Sequence, residues 1–542
     1  MRIQGKIVDI VNNKIYNGIL VIDSGKIKKI EHADKEFTNY ILPGLVDSHV
    51  HIESSMLTPS QFSKLVVPRG TVAVVTDPHE IANVMGVDGV DYMIEDARHT
   101  PLKCFFGAPS CVPATAFETS GGLINAEEVD NLLQREDIWF LSEMMNFPGV
   151  INRDNEVWRK IKSAHKAGKR IDGHAPGVVG EELKKYAAAG ISSDHECMTV
   201  QEALDKIKNG ITVQIREGSA AKNFEALWPL FNTQPDDIML CTDDSHPDEI
   251  INKGHIDKII RLGLAKGIDL FKLLRAAILK PIVHYNLPVG MLREGDPADF
   301  IVVDTLTNFK VLETYIDGVK VFGEEKLMFD VPLSAPINNF NIKPINADLI
   351  KVPYKSGKKI RVIEAAEGDL FTKEKHYAPT NTDGYIASNT KDDVLKIVVL
   401  NRYKQSPPVL GFINNIGLKE GAIACSVAHD SHNLIAVGVR DEDIVKALNQ
   451  IITHKGGIAY SAGTDADCLP LEVAGLMTAK AGDEVARTYQ KLNKKAQQMG
   501  SRLQAPFMTL SFMSLLVIPQ LKIGDKGLFD VDTFSFTNLY VE

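Results

Sequence analysis

His49 and His51 sit two residues apart in the stretch LPGLVDSHVHIESS, which runs from Leu42 to Ser55. Side chains alternate along a β-strand, so positions i and i+2 share a face, and two neutral imidazoles at a strand's end suit a metal ion. Most H-x-H pairs have a plainer origin, two histidines alternating on a half-buried strand, so further ligands are required. Candidates recur at the ends of other strand-like runs: Glu143 in DIWFLSEMM, His174 in KRIDGHAPG, His195 in GISSDHE and Asp243 in DIMLCTDD. Taken singly, such a histidine is a packed one and such a carboxylate caps a helix. Taken together, six nitrogen and oxygen donors are expected at one place. Mixed histidine and carboxylate ligands without cysteine favour Mn, Fe or Zn over Mg or Ca. Two neighbouring ions need a bridging anion. Glu143 is positioned for that, and the run from Ile138 to Val150 contains no lysine that a modification could turn into a bridge.

The elements that must position these residues form a repeating pattern. Apolar strand-like runs at 70–77, 102–110, 137–145, 169–177, 190–196, 210–217 and 237–244, with the histidine strand, make eight. Helical patterns such as NEVWRKIKSAHKAGK and EELKKYAAAG fall between them, the latter closed by glycine. Eight β-then-α units predict a TIM-like (β/α)8 barrel over residues 43–285, a fold that carries its chemistry where the strands end. A doubly wound open sheet is the other α/β possibility, but neither G-x-G-x-x-G nor a P-loop is present. Short strands with turns occupy the opening segment and return from Ala298 to Glu324. A small composite β-sandwich domain from residues 1–42 plus 286–340 would bracket the barrel. A polar segment rich in Pro and Asn at 334–359 marks a boundary, and residues 341–542 read as a C-terminal α+β domain.

Composition narrows the partners. The 542 residues exceed one ordinary domain, and 44% hydrophobic with 24% charged residues is globular composition. A formal net charge of −10 argues against a nucleic-acid or anionic-membrane surface, which leaves a small-molecule substrate as the expected partner. No apolar run approaches a membrane span, and the N-terminal residues lack the apolar core of a secretory signal. The six cysteines are scattered with no C-x-x-C, which fits a reducing cytoplasm.

The segments PGLVDSHVHIESSM, TDPHEIANV, PSCVPAT, GHAPG, SSDHE, CTDDSHPD and AHDSHN together resemble the amidohydrolase superfamily and, within it, the bacterial and archaeal adenine deaminases. H-x-H marks only the superfamily, whereas DPHE and HDSHN are more specific, and the resemblance spans essentially the whole chain. It implies a metal-dependent hydrolase of purine salvage, a homo-oligomer, with two divalent ions, Mn or Fe with Zn as the further option, that turns adenine and water into hypoxanthine and ammonia. Carried onto this sequence, His49, His51 and Asp243 would hold one ion and His174 and His195 the other, with Glu143 between them. A bridging hydroxide would attack C6 of the purine, with Asp243 as the proton shuttle. Sequence does not separate Asp243 from Asp244, which is assigned to the surroundings of the site.

Asp77, His79 and Glu80 follow the second strand and are candidates for contacts to the purine, against the plainer reading of a loop-and-cap cluster. Arg216, Glu217, Asp244 and His246 are candidates of the same kind. His429 and His432 interrupt SVAHDSHNLIAVG, where they would lend polar groups to the active-site mouth, hold an accessory metal, or simply form a hydrogen-bonded turn. Two other readings compete. Another amidohydrolase acting on a cyclic amide or related aminopurine would share the same centre, and a non-catalytic barrel scaffold would be expected to have lost ligands. The cytidine-deaminase type needs P-C-x-x-C, which is absent.

Overall fold

The computed structural model describes residues 1–219, 222–367 and 370–541. They divide into two compact units: residues 1–78, 91–111 and 125–334 form the first, and residues 79–90, 112–124 and 335–542 the second. This differs from the division expected from sequence. Two stretches that follow barrel strands in the chain, 79–90 and 112–124, belong to the unit built by the C-terminal residues, because sequence order does not report which core a loop joins.

The first unit contains eight parallel strands: β1 (Leu45–His51), β2 (Thr71–Thr76), β3 (Lys103–Ala108), β4 (Ile138–Met144), β5 (Arg170–Gly173), β6 (Ile191–Asp194), β7 (Thr212–Arg216) and β8 (Ile238–Cys241). Each pairs with the next, and the ring closes through Asp243 and Asp244, which lie parallel to β1 opposite Val50 and His51. Strands covered on both faces read as continuous apolar runs. Every residue of β1, β2, β7 and β8 is buried. Helices between strands begin where the sequence supplies acceptors for free N–H groups. Asn125 and Glu128 form a capping box before Ala126–Leu133, Asp154 caps Asn155–Lys166 and Thr199 caps Val200–Lys208.

The same unit carries a second sheet from the two ends of its sequence. Its order is Lys326–Leu327, Val319–Gly323, Val311–Ile316, Phe300–Val303, Tyr40–Pro43, Arg2–Asp9, Lys14–Asp23 and Lys26–His32. Hydrogen bonds run through all eight strands in one order, so the two sequence-distant segments join in a single composite sheet. Tyr40–Pro43 pairs with both halves and leads through Gly44 into β1. A Cβ at Gly44 would stand 2.3 Å from a methyl of Val72, so only glycine permits that approach.

The second unit is an α+β assembly around a mixed sheet that includes Leu395–Leu400, Val409–Asn414, Ala422–Cys425, Leu434–Gly438 and Gly457–Ala462. The helix Asp441–His454 presents Ile444, Leu448 and Ile451 to Val398, Ala424 and Ala436 in a fully buried core.

Candidate metal centre

β1 delivers both histidines to one place, as strand alternation requires: the His49 and His51 rings are 4.8 Å apart, edge to face. The pairing of β1 with β2 is irregular between Asp47 and Val50, and that of β4 with β5 between Leu141 and Met144, so the ladder breaks beside His49 and beside Glu143. Such breaks re-aim side chains at sheet ends. Asp47 anchors the turn, accepting from the His49 and Thr242 backbone N–H groups at 3.3 and 3.1 Å. Beyond Thr242, Asp243 takes a left-handed backbone, φ +55°, and swings its carboxylate toward β1.

Glu143 divides its carboxylate between two groups of imidazoles. Oε1 lies 3.3 Å from His51 Nε2, while Oε2 lies 2.7 Å from His174 Nδ1 and 3.2 Å from His195 Nε2. Oδ1 of Asp243 faces His51 Nε2 at 3.2 Å and His49 Nε2 at 3.5 Å. The His49 and His195 rings stack at 4.1 Å. Of the six side chains, five are buried and His174 is partly exposed.

The donor set fits divalent ions. Both ring nitrogens of His49 and Nδ1 of His195 are buried with no hydrogen-bond partner among the described residues, an arrangement that costs free energy unless something else ligates them. Two triads, His49–His195–Asp243 and Glu143–His174–His195, each bring their ligand atoms within 4.8 Å of one another. His51 Nδ1 lies 3.0 Å from the Asp77 carbonyl, which selects the tautomer with Nε2 free for the centre.

Charge is balanced locally. Burial opposes ionisation of Glu143, but His174 and His195 overcome it and hold the carboxyl well below the usual range. For Asp243 burial is likewise outweighed, by the close approach of the His49 and His51 imidazoles and by the Arg216 charge. His195 is pushed up to about 10, as Glu143 and Glu196 outweigh its burial.

The chain matches the amidohydrolase family over residues 40–321 and the adenine deaminase C-terminal domain over residues 369–535. It is 54% identical to an adenine deaminase of Methanosarcina barkeri over 544 residues, covering 99% of each chain. It is 49% identical to one of Parabacteroides distasonis, covering 99% of this chain and 98% of the relative, and 47% identical to one of Salinibacter ruber, covering 100% and 99%. The chain belongs to the amidohydrolase family, among its adenine deaminases.

Around this amidohydrolase centre the other sequence candidates fall into distinct positions. Arg216 is committed to protein partners: Nη1 lies 2.8 Å from Asp243 Oδ2, and Nη1 and Nη2 both bond Glu196, Nη2 at 3.0 Å. Asp77 is buried at the end of β2. Asp244 accepts from the Ser54 hydroxyl, which separates its role from that of Asp243. His246 precedes the helix Pro247–Lys253, its backbone N–H donating to Ser219 Oγ at 2.9 Å. His79 and Glu80 lie in the second unit, together with His429 and His432.

Sequence reasoning missed Glu196, which touches Arg216 and stands 3.3 Å from His195 Nε2 and 3.5 Å from His174 Nδ1. It adjoins His195 in SSDHE, but strand alternation would send neighbours to opposite faces. Both residues lie beyond the end of β6, where alternation no longer applies. Asp194 was missed too. Its carboxylate accepts from the N–H groups of Ala175 at 2.8 Å and Glu196 at 2.9 Å, and from buried Lys206, so it fixes the loops bearing both downstream histidines.

Among the described residues no helix is long and apolar enough to cross a membrane.

Proposed function

We propose that this chain catalyses the hydrolytic deamination of adenine to hypoxanthine and ammonia at a binuclear centre. His49, His51 and Asp243 would hold one ion and His174 and His195 the other, Mn or Fe, with Zn also compatible with the donors. The observation that carries this reading is the division of Glu143, one oxygen toward His51 and the other toward His174 and His195. A single carboxylate so divided suits a bridge between two cations.

When bound, the ions supply a hydroxide from water near neutral pH and offset charge that develops on the substrate. The chain's own groups do the rest. Asp243, held ionised by Arg216, takes a proton from the attacking water and returns it to the departing amine, acting as base and then acid. Glu196, held by Arg216, adds negative charge beside His174 Nδ1 and His195 Nε2, and the Asp77 carbonyl fixes the orientation of His51. The Asp77 carboxylate, with Asp244 and His246 further out, is the barrel unit's candidate for contacts to purine nitrogens. The proposal extends to purine salvage by a homo-oligomer in a reducing cytoplasm, to which six unpaired cysteines are suited.

The test is an ultraviolet assay of adenine loss on full-length protein expressed with manganese, paired with metal analysis of the same sample. Hypoxanthine formation with about two ions per chain is the expected result. Turnover of hydantoins or dihydropyrimidines and none of adenine would replace the substrate while keeping the centre. Absence of both metal and turnover would leave a scaffold.

A further inference from the structure

Within the second unit, three side chains far apart in sequence converge. The carboxylate of Glu80 receives His429 Nδ1 on Oε1 at 2.6 Å and His432 Nε2 on Oε2. All three are buried, and their ligand atoms lie within 4.8 Å of one another. His79 Nε2 approaches Glu80 Oε1 to 3.6 Å, and His79, Glu80 and Asp430 form a second, overlapping group on the same carboxylate. His432 has a left-handed backbone, φ +51°, which bends the Ala428–Asn433 turn so that both rings of the H-x-x-H face Glu80.

We propose that Glu80, His429 and His432 form an accessory site for one divalent transition-metal ion, independent of the reading of the barrel centre. The chemistry of the donors selects the ion: two imidazoles and one carboxylate without thiolate suit Zn, Fe or Mn and are a poor match for Ca or Mg. The electrostatics agree. Burial, Asp430 and Asp525 push the Glu118 carboxyl well up toward its neutral form, which leaves three other carboxylates, Glu80, Asp430 and Asp525, against Arg402 and Lys526. The excess of negative charge favours a cation.

Binding has one structural cost. The Ala428 N–H now points at Nδ1 of His432 at 3.3 Å, whereas ligation through Nε2 puts the ring proton on Nδ1. The long Ala428 contact is therefore exchanged for the metal bond. A purely hydrogen-bonded cluster keeps that contact and binds no ion, and this difference is what the experiment reads.

Crystals of the full-length protein grown with excess zinc are examined by anomalous diffraction at the zinc edge. The expected result is a peak between Glu80, His429 and His432, separate from any in the barrel. Metal analysis of Glu80→Gln and of the His429→Ala/His432→Ala double variant should show one ion fewer per chain than wild type. Glu143→Gln should retain the accessory ion, which keeps failure at the barrel distinguishable from failure here. No anomalous peak at these three residues in wild-type crystals overturns the proposal, whether or not the variants fold. So does a variant that folds with an undiminished metal count.

Discussion

The guanidinium of Arg216 lies 2.8 Å from Oδ2 of Asp243, on the opposite side of the carboxylate from the oxygen that faces His49 and His51. One oxygen is thereby reserved for the centre, and the other is held by a fixed positive charge that Glu196 anchors from behind. Replacing Arg216 by Met removes a charge-assisted hydrogen bond of about 1.5–3 kcal/mol, so turnover should fall by roughly 10–100-fold. The sign of the pH effect follows from the direction of the shift. Arg216 lowers the Asp243 pKa, so its loss raises that pKa and moves the acidic limb of kcat/KM to higher pH. A pH–rate profile identical to wild type would remove Arg216 from this role.

Glu143→Gln keeps the shape of the side chain and removes the charge that two groups of imidazoles share. Glu143 is the penultimate residue of β4 and glutamine nearly matches its size, so far-ultraviolet circular dichroism should match wild type. Turnover should fall by more than the roughly 10–100-fold typical of losing a residue that hydrogen-bonds a metal ligand, and metal content by up to about two ions per chain. Metal analysis beside an adenine assay measures both, and near-wild-type turnover would contradict the bridging assignment.

Lys206 and Asp194 form an ion pair with no exposure on either side chain, N to O 2.6 Å. Removing one member of a buried pair leaves the other charge unpaired and costs about 3–5 kcal/mol. Lys206→Met should therefore lower the unfolding free energy by that much and the urea midpoint with it. It should also loosen metal retention, because Asp194 ties down the loops that carry His174 and His195. A urea titration with metal analysis tests both, and an unchanged midpoint would mean that the carboxylate finds another partner.

Much of this was legible in the sequence because strand periodicity and strand-end chemistry are local. Each of the eight barrel strands lies within the apolar run assigned to it, and the His49/His51 pair is set by alternation alone. What lay hidden depends on positions beyond the strand ends and on distant pairing. Glu196 sits past the end of β6, where alternation no longer decides the direction of a side chain. The union of Glu80 with His429 spans 349 residues of chain, and no periodicity reports it. The placement of 79–90 and 112–124 in the second unit was equally invisible, since those stretches look like ordinary barrel loops in one dimension.

His284 gives the last prediction. It is buried in the barrel unit, with Nε2 3.2 Å from Ser192 Oγ. That hydroxyl itself donates to the Ile171 carbonyl, so it accepts from a neutral imidazole. Burial, with the Arg170 and Lys280 charges, pushes the His284 pKa down to about 3 from 6.5. The unfolded chain thus binds a proton that the folded chain refuses between those values, and stability falls as pH drops from about 6.5 toward 3. The full shift corresponds to at most about 5 kcal/mol, with nothing lost above pH 7. Other groups lose stability in acid as well, Glu143 and Asp243 among them, so the informative quantity is the difference between variants. His284→Asn can still donate to Ser192 but cannot titrate. Its stability should decline less steeply than wild type from pH 6.5 to 4 in urea titrations, the two curves converging in shape above pH 7. Parallel curves across the whole range would mean that His284 is protonated in the folded state.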